Sequence, residues 1–287
     1  MLVHGILIAA FSFSAIGYSR HLRGVEGFIP AWQYALCVLS NLAVFFLLRV
    51  ADEHKDQEDD RQYRPYLPVP RGLISLKALR GVGFVLLGVA IALNAFFVPA
   101  VLPLLLLTLG YLLLMRYEFF APAWLRAHMG LYMLSHMLII PLADVYASAY
   151  DWKLGSVSPS PALFYFFGVS YCNGIVLELG RKLRAPEAEE EGVDTYTRLW
   201  GINRATAAWL LALTINFVLA AAAVRHAGYS NTAVIVLAIC FAIVAVPGVL
   251  FLRRPSVRLS KTIEAISLLW ALAMYLTIGG VPQLLNL

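Results

Sequence analysis

The sequence predicts an all-α integral membrane protein, and two observations support that fold class. Of its 287 residues, 61% are hydrophobic and only 14% are charged, and the mean hydropathy is +0.76. This composition is too apolar for a soluble domain. The apolar residues also form nine runs long enough to cross the hydrocarbon core of a bilayer. We therefore expect a single polytopic domain over residues 1–287, in contact with the lipid bilayer along its whole circumference.

The nine predicted helices are delimited by charged residues, glycines and prolines. The first two lie on either side of a glycine-containing loop, and each later run ends at a charged or proline-rich segment. The predicted ranges are 4–20, 31–51, 79–97, 99–117, 128–149, 161–181, 204–224, 232–252 and 262–282.

Basic residues are distributed unevenly between the two sides of this predicted bundle. All but four of the 22 lysines and arginines fall in or beside the loops after the second, fourth, sixth and eighth helices. The four exceptions are Arg20, Arg23, Lys153 and Arg225. Basic loops face the cytoplasm in membrane proteins. We therefore expect a multi-pass protein of the cell membrane with its long charged loops in the cytoplasm, and the net charge of +5 requires no nucleic acid partner.

The first charged loop, residues 52–78, predicts a metal site. Asp52, Asp56 and Asp60 are spaced four residues apart, so their carboxylates share one helical face and are able to converge on a divalent cation. Arg64 and Arg71 follow in a proline-rich stretch. Carboxylates that bind Mg²⁺ next to arginines that bind phosphate are suited to a diphosphate substrate.

The second charged loop, residues 178–203, repeats this chemistry on the same predicted side. Arg181, Lys182 and Arg184 precede Glu187 and Glu191, whose i, i+4 spacing can supply a second metal site. The basic residues can neutralise a departing diphosphate. The run 189–191, taken without its neighbours, is more typical of a solvated surface.

Other polar residues inside the predicted spans leave two interpretations open. Asn41, His136 and Asp144 each serve either as a structural hydrogen-bonding group or as a substrate contact, since polar groups in a membrane tend to face the bundle interior. The three cysteines have no pairing spacing, which argues against a disulfide framework or a zinc site. They are Cys37, Cys172 and Cys240.

The first loop resembles the aspartate-rich motif of the UbiA superfamily of intramembrane prenyltransferases, N-D-x-x-D-x-x-x-D followed by a proline turn. Asp52 and Glu53 stand where the family has Asn and Asp, and Asp56 and Asp60 match the later aspartates. The proline turn then aligns without a gap. Its matching residues are Arg64, Pro65, Pro68, Val69, Pro70, Gly72, Ile74 and Ser75.

The remainder of the family pattern is matched less completely. Tyr111 and the pair Met115–Arg116 resemble a Tyr and a Lys-Arg pair, while the later glycine-threonine-glycine pattern is matched by Gly192, Thr195 and Gly201. The second D-x-x-x-D of the family is not present as aspartates. Alignment on Pro186 supplies Glu187 and Glu191 but deletes three residues, whereas a gapless alignment supplies Arg184 and Ala188. We favour the gapped alignment because it keeps carboxylates at the required spacing.

The resemblance implies a nine-helix bundle around a central cavity and a Mg²⁺-dependent transfer of an isoprenyl group from an isoprenyl diphosphate to a hydrophobic acceptor, aromatic or lipid-like. A terpene cyclase of the same superfamily is the alternative, and an ion-coupled transporter that uses Asp144 and His136 is a remote one. The implied catalytic residues are Asp56, Asp60, Glu187 and Glu191. The implied metal ligands are these four with Asp52 and Glu53. The implied diphosphate-binding residues are Arg64, Arg71, Arg116, Lys182 and Arg184.

Overall fold

The computed structural model describes residues 2–285, and all regular secondary structure in that range is helical. Short 3₁₀ turns occur at Glu118–Phe120 and Pro186–Ala188, and a π-helical segment at Leu276–Gly280. The α-helices are α1 (Leu2–Leu22), α2 (Ala31–Lys55), α3 (Gln57–Tyr63), α4 (Leu76–Phe97), α5 (Leu102–Arg116), α6 (Pro122–Ala127), α7 (Met129–Met137), α8 (Ile139–Trp152), α9 (Leu163–Arg181), α10 (Tyr196–Trp200), α11 (Ile202–His226), α12 (Asn231–Arg253), α13 (Val257–Tyr275) and α14 (Val281–Leu285).

Seven helical segments of the described chain are long and apolar enough to cross a membrane. They are α2, α4, α9, α11, α12, the pair α7–α8, and α13 with the π-helix and α14. Helix α5 is equally apolar but has 15 residues. Every predicted run coincides with a helical segment, so the predicted all-α membrane class is confirmed. The count of nine membrane-spanning helices is not confirmed by these spans and stays a prediction.

Local chemistry explains where the helix boundaries depart from the predicted ones. Helix α4 begins before residue 79 because the hydroxyl of Ser75 accepts a hydrogen bond from the Ala78 amide. Ser256 likewise caps α13 through the Leu259 amide, well before residue 262. The predicted single helix 128–149 is divided at Leu138. Pro141 explains that division, because it lacks an amide hydrogen and its ring collides with the carbonyl four residues earlier.

The long helices form a closed ring in which α9 is the most buried element. Helix α1 packs against α8 and α2 on one side and against the π-helix and α14 on the other, which joins the first helix to the last. Helix α9 packs against α8, α11 and α13, and 61% of its spanning residues are buried, compared with 11% for α4. The polar side chains on α9 therefore face protein, whereas α4 presents an apolar surface suited to lipid.

Charged side chains collect at the two ends of the bundle. One end, which we call the motif end, contains the last turns of α2, α5 and α9 and both charged loops, where Lys55 reaches Glu118. The other, the far end, contains the last turns of α1, α8 and α11, where Arg23 reaches Asp151. The charge segregation expected from the sequence is present, and the side of the membrane that each end faces stays a prediction.

Candidate functional site

The first acidic motif lies where α2 meets α3. Asp56 separates the two helices with a non-helical ψ of 6°. The amide of Asp56 still donates to the Asp52 carbonyl, and the amide of Asp60 to the Asp56 carbonyl, at 2.9 and 2.8 Å. Because these i to i−4 bonds continue through the junction, the three aspartates remain on one face despite the break.

Asp60 is the most buried of these three aspartates, with 5% of its surface exposed. Its Oδ1 lies 3.1 Å from the Nε of Arg64, yet this oxygen accepts no well-formed hydrogen bond from the described residues. Burial raises the pKa of the Asp60 carboxyl, and Arg64 opposes that shift. A buried carboxylate with unused acceptor capacity is a costly arrangement for the protein alone.

Glu53 is also buried, and its carboxylate pairs with Arg49 one turn earlier on α2. Glu53 and Asp60 line a small cavity of about 60 Å³. The cavity is also lined by Gln57, Arg61, Val69 and Pro70. The proline turn therefore packs over the carboxylates and shelters them from bulk water.

The donor chemistry of this region fits Mg²⁺. Asp52, Asp56 and Asp60 present hard carboxylate oxygens on successive turns, and the unsatisfied oxygen of Asp60 is the acceptor that a cation would engage. No point within the described residues is already surrounded by three such ligands. Side-chain rotation at the α2–α3 junction would be needed to bring the three carboxylates together.

A charged cluster next to this motif was not predicted from the sequence. The Nζ of Lys55 lies 3.0 Å from Glu118 Oε1, donates a hydrogen bond to the Tyr132 hydroxyl, and lies over the Tyr132 ring. The imidazole of His136 stacks on that ring with centroids 3.9 Å apart. The cluster joins α2, the turn after α5, and α7 around a lysine one turn from Asp52.

The Glu118 turn has an unusual backbone. Glu118, Phe119 and Phe120 all have positive φ, at 46°, 51° and 60°, which costs roughly 1–2 kcal/mol for each non-glycine residue. Two contacts hold this turn in place. The buried Glu118 carboxylate forms an ion pair with Lys55, and the Phe119 ring contacts Tyr111 and His136. In the sequence, the one sign that Glu118 is unusual is that it is an acidic residue between two apolar stretches. Nothing in its spacing indicates that Lys55 is its partner.

The last turn of α9 contributes the basic part of the site. Glu178 accepts from Arg181 at 2.7 Å and pairs with Lys182 at 3.1 Å, and Lys182 lies 5.6 Å from the centre of the Tyr196 ring. The Arg181 charge also acts on Asp52 across the bundle. Glu178 thus holds both Arg181 and Lys182 at the end of α9, and Arg181 is the one that acts on the first acidic motif.

Direct contacts hold the two charged loops together. The hydroxyl of Tyr66 donates to Glu190 Oε2 at 2.6 Å, and this bond raises the pKa of Tyr66. Gly192, at φ +71°, lies flat against Tyr63, so that a Cβ atom there would be 2.3 Å from the ring. Only glycine allows this approach without displacing the ring.

Several predicted site residues are exposed or directed to other partners. Glu187, in the short 3₁₀ turn, and Glu191 are exposed, as are Arg71 and Arg116. Arg184 is directed to Glu264 on α13, 3.5 Å away. No contact among the described residues joins this second carboxylate pair or these three basic residues to the carboxylates of the first motif, and their roles stay predictions.

The neighbouring acid Glu189 has a defined structural contact. Its carboxylate accepts hydrogen bonds from the hydroxyls of Thr195 and Thr197 at 2.7 Å. The Thr195 hydroxyl also caps α10 by accepting from the Arg198 amide at 3.1 Å. The acidic run is therefore partly folded against the start of α10 and is not uniformly solvated.

Comparison with known proteins finds similarity in structure and none in sequence. No protein-family model matches the chain, and no curated protein matches it at the significance level used. A UbiA homologue from Aeropyrum pernix K1 superposes with a TM-score of 0.69 over 97% of this chain and 98% of its own length. A structure described for digeranylgeranylglyceryl phosphate synthase superposes with a TM-score of 0.65 over 98% of this chain and 96% of its own.

The chain has the UbiA fold. Both similar structures are 15% identical to it in sequence, so the likeness establishes the architecture and leaves the reaction to the chemistry of the site. The resemblance predicted from the acidic motif is confirmed at this level. In this UbiA fold the predicted first motif, the Lys55 cluster and the last turn of α9 all meet at the motif end.

Proposed function

We propose that the chain is an intramembrane prenyltransferase that transfers an isoprenyl group from an isoprenyl diphosphate to an aromatic or lipid-like acceptor, with Mg²⁺ as cofactor. The proposal depends on one observation above all: the two charged loops touch each other at one end of a UbiA fold, with a buried, under-bonded Asp60 beneath them. Carboxylates and basic residues at the mouth of an apolar bundle suit a substrate with a charged head and an apolar tail.

The first motif would hold the cation. Asp52, Asp56 and Asp60, with Glu53 beside them, supply the oxygen ligands, and Glu187 with Glu191 stays the proposed second pair. Mg²⁺ supplies charge neutralisation for the departing diphosphate when it is bound. The protein contributes the spacing of the carboxylates and the proline turn that restricts water above them.

The basic residues would then bind the phosphate oxygens by exchanging partners. Arg64 now pairs with Asp60 of the motif, and Lys182 pairs with Glu178 at the end of α9, so each has a carboxylate partner that a stronger anion would replace. Arg71 and Arg116 are exposed and can reach from the rim. Among the predicted diphosphate-binding residues, Arg184 is the least supported because it is directed to Glu264.

In the proposed reaction, the carbon–oxygen bond of the prenyl diphosphate breaks and the diphosphate leaves with the electron pair. A nucleophilic atom of the acceptor bonds to the allylic carbon and then loses a proton. An apolar groove of about 360 Å³ adjoins the cluster at Phe119 and offers room for a hydrocarbon tail. Its walls include Trp124, Leu131, Leu134 and Tyr171.

The test is diphosphate release from prenyl diphosphates of several chain lengths, with Mg²⁺, in the presence and absence of phenols, quinone precursors and lipid alcohols. A transferase releases diphosphate slowly alone and faster with its acceptor, and forms the prenylated product. Rapid acceptor-free release with a cyclic hydrocarbon or terpene alcohol would replace transfer by cyclisation. Ion flux in liposomes without any diphosphate release would favour the transporter alternative.

A further inference from the structure

Asp144 is a second acidic site, deep in the bundle and separate from the motif end. It lies in α8, in the interior of a membrane-crossing segment, and its exposed fraction is 0%. Neither carboxylate oxygen accepts a hydrogen bond from the described residues. The ion pairs among those residues do not include it.

An isolated carboxylate in such surroundings is far too costly to persist as a bare charge. Ser170 of α9 is a polar neighbour of Asp144, and its hydroxyl lies 2.6 Å from the Tyr275 hydroxyl at the end of α13. The side-chain amide nitrogen of Asn173, one turn further along α9, is also buried without a partner. Helices α9 and α13 therefore present uncharged polar groups around one acid of α8.

Within residues 2–285, no side-chain cation forms an ion pair with Asp144. The titratable groups that face it are the Cys37 thiol from α2 and the Tyr275 phenol from α13, both ordinarily uncharged at neutral pH. On α1, Arg20 is occupied by the Gly27 and Glu26 carbonyls and by Asp151. The charged groups of the other helices packed on α8 lie nearer their ends: Arg49, Asp52, Glu53, His54 and Lys55 on α2, His136 on α7, Arg116 on α5, and Glu178 and Arg181 on α9.

We propose that Asp144, Ser170 and Tyr275 form a buried site for one small monovalent cation, either a proton or Na⁺. A single carboxylate balances a charge of +1, and the two hydroxyl oxygens supply the neutral ligands that a proton or Na⁺ needs. A divalent ion would leave an uncompensated charge in the apolar interior. This site does not depend on the proposed transfer reaction, because no residue is shared with the acidic motifs.

The experiment uses the full-length protein in detergent and a hydrophobic carbodiimide, dicyclohexylcarbodiimide, which reacts with protonated carboxyls. We expect mass spectrometry to find the mass shift of one adduct on Asp144. Asp151 is the internal control, because it is also buried but accepts two hydrogen bonds from Arg23. Labelling in NaCl is compared with labelling in choline chloride at equal ionic strength.

Slower labelling of Asp144 in NaCl identifies Na⁺ as a competing occupant, and equal labelling in the two salts identifies the proton. Both results support the site. Absence of label on Asp144 in both salts would overturn it. A neutral carboxyl can be replaced by its neutral isostere, so in choline chloride Asp144→Asn should keep the unfolding midpoint of the wild type, and in NaCl it should lose any Na⁺-dependent rise in that midpoint. A large fall in the midpoint of this variant in choline chloride would also overturn the proposal.

Discussion

The two ends of the bundle use the same residue types in opposite ways. At the far end, Asp151 accepts from Arg23 at 3.0 and 2.6 Å and from the Ser19 hydroxyl at 2.7 Å, with Arg20 at 3.6 Å. At the motif end, Asp60 has one ion-pair partner and a buried oxygen without a hydrogen bond. Asp151 ties α8 to α1, whereas Asp60 retains unused capacity beside a cavity.

The difference separates structural acids from candidate functional ones. A carboxylate whose oxygens are all engaged contributes to stability and is not available to a ligand. A buried carboxylate with an oxygen that accepts no hydrogen bond lowers the stability of the fold. Such a carboxylate is retained where a ligand completes its coordination. On this criterion Asp60 is a candidate site residue and Asp151 is a structural one.

Removing the charge of Asp56 or Asp60 should give the largest change in activity. We expect Asp56→Asn and Asp60→Asn each to lower turnover by about a thousandfold, which corresponds to roughly 4 kcal/mol of transition-state stabilisation. The matched control is Asp59→Asn, an exposed neighbour on α3, which should retain wild-type turnover. Product formation at saturating Mg²⁺ is the measurement. Near-normal, Mg²⁺-dependent activity in both variants would remove the first motif from the site.

Asp151→Asn should lower the stability of the protein strongly, whereas the variants of Asp56 and Asp60 mainly lower its activity. Breaking this buried ion pair leaves Arg23 without its carboxylate and costs about 3–5 kcal/mol of unfolding free energy. Chemical denaturation in detergent measures it, and Lys153→Met is the control because Lys153 is exposed at the same end. If Asp151→Asn were as stable as wild type while Asp60→Asn unfolded, the assignment of the two acids would be reversed.

The outer architecture was more predictable than the site. The apolar runs predicted the helix positions, because a bilayer requires long, fully hydrogen-bonded segments. The predicted shared face of Asp52 and Asp60 is also present, although the helix is interrupted between them. Lys55 and Glu118 were missed because their contact joins residues far apart in sequence across a left-handed turn. Local spacing carries no information about such a pair.

The choice between the two alignments of the second loop can be tested next. If Glu187 and Glu191 form the second metal pair, Glu191→Gln should reduce activity by about a hundredfold and weaken its dependence on Mg²⁺. Glu190→Gln should be mild, and Glu189→Gln also, because a glutamine carbonyl can still accept from Thr195 and Thr197. Equal and small effects at all four acids would leave the first motif, with Lys182, as the main contributor.

The smallest predicted effect concerns the contact between the loops. Gly192→Ala forces a Cβ into the Tyr63 ring and also strains a backbone at φ +71°, so the loops should separate and the apparent KM for the prenyl diphosphate should rise several-fold. Gly228→Ala at the far end is the matched control: its φ is +73°, but a Cβ there meets nothing within 4 Å. Both variants bear a left-handed strain of roughly 1–2 kcal/mol.

Only Gly192→Ala disturbs Tyr63, so the difference between the two variants isolates the loop contact from the strain. The double variant Gly192→Ala/Tyr63→Ala removes the obstructing ring. If steric separation of the loops is the cause, the double variant and Tyr63→Ala alone should have the same KM once the effect of backbone strain is subtracted. The change in KM that Gly228→Ala causes measures that effect of strain. Equal KM values in Gly192→Ala and Gly228→Ala would show that contact between the loops has no part in binding the substrate head group, and would restrict the site to the α2–α3 junction and the last turn of α9.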